Sequence, residues 1–168
     1  MNRPELPSNK EILNDIIWCF ENALKKLCEL PEYTDERQGG YAVLMNASTG
    51  DIIACIRVGL PTPGKEDKYM AFAIEKAKRL FNSRKQDGTI VSSWQTRNPD
   101  ADQYGGAIYG VGWIASFSGL SPDTADDAVS AAALAQLEEN PLPREQALAI
   151  GAISDNPFME PLIKIVLQ

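Results

Sequence analysis

The 168-residue chain contains no histidine. That single absence removes Ser-His-Asp and Cys-His catalysis, histidine-bound zinc and histidine ligation of haem iron within one subunit. Cysteine is scarce and odd in number, with Cys19, Cys28 and Cys55 scattered through the first third. If Cys19 and Cys28 share a helix, their spacing at about 100° per residue sets them on opposite faces. They then share neither a metal nor a disulfide, and all three read as buried free thiols. Long apolar runs are also missing: none approaches the ~18 residues of a membrane span. The opening Met1-Asn-Arg-Pro-Glu-Leu-Pro7 lacks the basic-then-apolar order of a signal peptide, so a cytoplasmic location with no membrane partner is expected. Basic residues are outnumbered 16 to 23, a net charge of −7 that disfavours nucleic acid as a partner.

What is present describes an ordinary folded chain. Its 44% hydrophobic and 23% charged residues fall in the range of soluble globular domains. The length suits one domain burying roughly 70% of its unfolded surface. We read residues 1–168 as that domain, with a core over 9–138 and a C-terminal helical extension over 141–168.

Ser8-Asn-Lys-Glu11 has the form of a capping box. Behind it, Leu13, Ile16, Ile17, Phe20, Leu24 and Leu27 recur at helical spacing and predict a helix from about Asn9 to Leu30. Two β-prone runs, Tyr41 to Met45 and Ile52 to Val58, flank the turn Asn46 to Asp51 and predict a hairpin. A second helix is expected from Glu66 to Arg84. Its apolar face carries Met70, Ala73, Ile74, Ala77, Leu80 and Phe81. Its other face, with Lys76, Lys78, Arg79, Arg84 and Lys85, reads as solvated and matched to the helix dipole.

Thr89 to Trp94 predicts another strand, and Gln95 to Tyr104 a polar loop. Gly105 to Leu120 is the landmark, a glycine-rich β-prone stretch with strands at Ala107 to Tyr109 and Val111 to Ser118. Ser121-Pro-Asp123 then starts an alanine-rich helix to Glu138, with Ser121 as its N-cap. Asp123, Asp126 and Asp127 read as helix-dipole matches. After Asn140 come a helix, an Asp155-Asn-Pro157 break and an apolar tail expected to dock on the domain or on a neighbouring subunit. Gly110-Val-Gly-Trp-Ile-Ala115 matches a loose dinucleotide-binding pattern, but it sits inside a strand instead of before a helix.

The hairpin of residues 41–57, the helix from Tyr69 to Phe81, the pair Gly105-Gly106 and the closing Ser118-Gly119 before a small-residue helix carry a family likeness. In their order and type, these elements resemble the GlcG/HbpS-like haem-degrading or haem-binding family, which also includes the C-terminal domain of some corrinoid adenosyltransferases. The resemblance implies an α+β, profilin-like fold, an antiparallel sheet of about five strands with helices packed on it, and assembly as a homo-oligomer. Haem is the cofactor it suggests, although this chain supplies no histidine ligand; without one, iron is left to Cys, Met or Tyr.

The function expected is a non-catalytic small-molecule-binding or sensory module whose ligand is planar or anionic, in the manner of a tetrapyrrole. Arg97, Tyr104, Gly105, Gly106 and Trp113 are the candidate ligand-binding residues: open backbone, aromatic faces and one guanidinium for a carboxylate. Two alternatives stand beside it. One is a structural protein acting through homo-oligomer assembly. The other is an enzyme using Cys, Lys, Tyr or carboxylate groups, with Cys55 as its thiol. No catalytic or metal-binding residue is assigned.

Overall fold

The computed structural model describes residues 9–168, so the Ser8 cap lies outside the described residues. The first helix, α1, spans Asn9–Glu29. Strands β1 (Gln38–Asn46) and β2 (Ile52–Leu60) follow, then α2 (Glu66–Gln86). A second hairpin, β3 (Ala107–Gly110) and β4 (Trp113–Ser118), leads to α3 (Asp123–Ala135), α4 (Arg144–Ile153) and α5 (Met159–Val166). The strands form one four-stranded antiparallel sheet in the order β2-β1-β4-β3. The fold is α+β, and among the described residues no helix is long and apolar enough to cross a membrane.

β1 is central and covered on both faces, which is why Tyr41 to Met45 reads as a continuous apolar run with no polar alternation. Ala42 and Leu44 face the larger core, built with α1, α3, α4 and α5. Val43 and Met45 face the smaller one, built with Ala73, Ala77 and Leu80 of α2. α3 is buried along residues 124–135. Its alanines let it lie close between the sheet and α1. The apolar tail docks within the chain: Met159, Leu162 and Ile163 of α5 are buried in the larger core.

Several expectations need correction. Thr89 to Trp94 is not a strand. Its pairing shrinks to a single bridge, Ser92 with Ile108. Ser92 Oγ instead accepts from the Trp94 N–H at 3.1 Å, and the Gln95 side chain accepts from the Val91 and Ser92 N–H groups at 2.8 and 3.1 Å. These bonds turn the chain into a 3₁₀ segment and leave four strands in the sheet. Val111 belongs to the β3–β4 turn with φ +37°. The α3 cap position is held by Pro122 and not Ser121, and the helix stops at Ala135. Cys19 is buried as expected, but Cys28 is half-buried and Cys55 exposed.

Candidate functional site

Two adjoining constellations occupy the region where β3 begins, the segment 92–106 passes and α3 starts. The inner one is centred on Lys76. This residue sits on the apolar stripe of α2 between Ala73 and Leu80, so the helix directs it inward. Its ammonium donates to the Phe117 carbonyl at 2.9 Å and to Asp126 Oδ2 at 3.1 Å, and the side chains of the pair are 2% and 4% exposed. Asp126 Oδ1 accepts from the Leu120 N–H at 3.0 Å. The ammonium therefore ties α2 to the end of β4 and the first turn of α3. Lys76 is thus not part of a solvated basic face, and Asp126 and Asp127 are not surface charges matched to a dipole.

Asp127 is equally buried. Its Oδ2 lies 3.5 Å from the Ser92 hydroxyl, it accepts from the Gly106 N–H, and its Oδ1 has no hydrogen-bond partner. Burial, opposed by the attraction of Lys76, raises the Asp127 carboxyl to about 8. Asp126 rises to about 6 by burial, held lower by its direct contact with Lys76. At neutral pH Asp127 therefore keeps its proton.

Gly105 and Gly106 complete this inner cluster. The Gly105 N–H donates to Asp123 Oδ2 at 2.8 Å, and the Gly106 carbonyl accepts from Ser130 Oγ at 2.6 Å. Gly106 has φ +138°, and an added Cβ would stand 2.5 Å from the Phe117 carbonyl oxygen and 2.7 Å from Lys76 Nζ. The close approach that only glycine permits here serves the buried lysine. Both glycines are buried, and these backbone groups are spent on internal bonds.

The outer constellation is a ladder of rings and cations. Arg97 Nε donates to Asp123 Oδ2 at 2.8 Å, and its guanidinium lies 4.6 Å over the Trp94 ring and 5.9 Å from the Tyr104 ring. Tyr104 meets Phe72 of α2 edge-on at 5.9 Å, and the Lys68 ammonium stands 5.6 Å over Phe72. The three rings are half-buried, while Lys68 and Arg97 are exposed. Arg79 holds the loop in place by donating to the Ser93 and Thr96 carbonyls at 2.9 and 3.0 Å and to the Tyr104 carbonyl at 2.5 Å. An open groove of about 750 Å³ runs along the flank of α2, lined by Ile74, Glu75, Lys78, Arg79 and Gln103 among others. None of the ladder residues lines this groove, although Arg79, which does, holds the Tyr104 carbonyl.

Of the residues singled out from sequence, Arg97, Tyr104, Gly105 and Gly106 come together here. Trp113 does not. It pairs with Gly110 and Asn46 at the opposite end of β4 and packs against the larger core. Sequence reasoning missed Lys76, Phe72 and Ser92. Lys76 carried a readable signal, since it interrupts the alanine-leucine stripe of α2. Phe72 carried none, because its role depends on a loop more than 20 residues away.

Compared with protein-family models, curated proteins and solved structures, the chain finds no match in any of the three.

Proposed function

We propose that this protein is a non-catalytic small-molecule-binding or sensory module whose ligand is a planar anion of tetrapyrrole-like shape. The carrying observation is the ladder Lys68–Phe72–Tyr104–Arg97–Trp94, in which two exposed cations stand against three half-buried rings. Rings offer a flat apolar face, Lys68 suits a carboxylate at the ligand's rim, and Arg97, paired with Asp123, adds its guanidinium plane beside the rings. The inner cluster supports binding over turnover, because Lys76, Asp126 and Asp127 are buried away from any ligand and Lys76 is paired with Asp126.

The ladder offers haem iron one candidate ligand, the phenol of Tyr104. The ladder offers neither imidazole nor thiolate; Cys19 is buried, Cys28 is on α1, and Cys55 is on β2 at the far edge of the sheet. Among the described residues no cluster of three or more metal-ligating side chains occurs. The ladder suits a ring system and its carboxylates, and no iron chemistry is assigned. Titration with metal-free protoporphyrin, followed by tryptophan quenching, tests the reading. Saturable binding lost in Arg97→Ala supports it; absence of saturable quenching overturns it.

A second reading, self-association as a homo-oligomer in the cytoplasm, draws support from the mostly apolar strand β2, whose outer side no strand among the described residues pairs. The C-terminal tail gives this reading less support, since Met159, Leu162 and Ile163 are buried within the chain.

A further inference from the structure

The two cations of the ladder are placed differently. Lys68 is exposed on α2 and takes part in no ion pair among the described residues, so its ammonium beside Phe72 is open to an anion. Arg97 already holds a carboxylate. Its Nε donates to Asp123 Oδ2 at 2.8 Å and its Nη2 to Asp123 Oδ1 at 3.3 Å, the two-pronged contact by which a guanidinium grips a carboxylate.

Several bonds keep Asp123 where it is. Its Oδ2 also accepts from the Gly105 N–H at 2.8 Å, and Gly105 is buried. Withdrawing the carboxylate would strand that donor in the interior, where a missing bond costs more than a made one contributes. Asp123 lies in the first turn of α3, where the helix dipole favours its negative charge. Its side chain is 11% exposed against 34% for Arg97, so the acid is the inner, fixed member of the pair. Nη1 makes no hydrogen bond among the described residues, but a second carboxylate taking it would stand beside the first.

We infer that Asp123 sets the specificity of the ladder by keeping a ligand's carboxylates away from the Arg97 end. This role rests on the ladder being the ligand site. The ligand class it defines is a planar ring whose anionic groups are gathered on one edge. That edge lies at Lys68, and the uncharged edge lies beside Trp94 and the neutralised guanidinium, which offer flat faces. A ring with carboxylates around its whole rim has to bring one of them against Asp123, and such like-charge contact selects against the wrong ligand.

Asp123→Asn separates the charge from the scaffold. The amide oxygen can take the Oδ2 position and keep the bonds from Gly105 N–H and Arg97 Nε. The amide nitrogen then faces Nη2, donor against donor, which opens that edge of the guanidinium to an external carboxylate.

Titration with two metal-free porphyrins, followed by tryptophan quenching, tests the role: protoporphyrin, with its carboxylates on one edge, and coproporphyrin, with carboxylates around the rim. Wild type is expected to favour protoporphyrin by about tenfold, the size of one partly screened like-charge contact. Asp123→Asn is expected to bring the two affinities within about threefold by tightening coproporphyrin, with an unchanged circular dichroism spectrum. Asp123→Ser also removes the charge and is expected to narrow the preference likewise, whereas Glu145→Gln, an equal change in net charge on α4, leaves it at the wild-type value. Equal binding of the two porphyrins by wild type, a preference that persists in a folded Asp123 variant, or the same narrowing in Glu145→Gln overturns the role of Asp123 alone. No saturable binding of either porphyrin by wild type overturns the ladder itself, and the role with it.

Discussion

Replacing Asp127 by Asn isolates one buried proton. In the folded protein the Asp127 carboxyl sits at about 8, raised from 3.8 mainly by burial. The groups facing it are Lys76 from α2, Ser92 from the loop, the Gly106 N–H before β3, and Asp123 and Asp126 from its own helix. Because the folded value lies above the unfolded one, the fold favours the protonated form. The contribution is complete below the unfolded value and is lost as pH rises through the folded one. Each group whose protonation differs in this way tilts stability by at most about 1.4 kcal/mol per pH unit. Asp126, at about 6, adds to the slope mainly below that pH. Between pH 6 and 8 Asp127 dominates, and on the order of 2 kcal/mol of stability drains away. Urea unfolding at pH 6, 7 and 8 reads this directly. Wild type is expected to lose stability across the series and Asp127→Asn to stay nearly flat. A wild-type curve that is flat or rising, or a variant that keeps the wild-type slope, refutes the argument.

Three further perturbations follow from the same geometry. Lys76→Met leaves Asp126 buried without its cation and is expected to cost about 3–5 kcal/mol, with Lys76→Met/Asp126→Asn recovering much of the loss in the same urea assay. Gly106→Ala forces a Cβ against the Phe117 carbonyl at a positive φ; a loss of about 1–3 kcal/mol is expected, and a thermal midpoint unchanged from wild type would contradict it. Leu162→Ala in α5 removes a fully buried side chain and is expected to cost about 2–5 kcal/mol, measurable by denaturant midpoint, if the tail is an integral part of the core.

The helices and hairpins were legible because they depend on local spacing. The α1 stripe, the Asn46 to Asp51 turn and the paired strands after Gly105 all appear in the residues themselves. Residues 89–94 were misread because their β-propensity was overridden by Ser92 and Gln95, whose side chains bond the local backbone and turn it away from the sheet. The buried cluster was missed because charge was taken as a mark of solvent. Lys76 shares the α2 face of Ala73, Ala77 and Leu80, and its partners Asp126 and Asp127 interrupt a run of small buried residues. A charge placed on an apolar stripe is the pattern that would have exposed them. Trp113 was grouped with Gly105 from closeness in sequence, but the β3–β4 hairpin holds the two at opposite ends of one strand pair.

The most direct measurement is calorimetric titration of metal-free protoporphyrin into wild type, Arg97→Ala and Trp113→Phe. One saturable site, weakened by at least tenfold in Arg97→Ala and unchanged in Trp113→Phe, is the predicted result. No saturable heat in wild type, or equal binding by wild type and Arg97→Ala, would contradict the ladder as the ligand site.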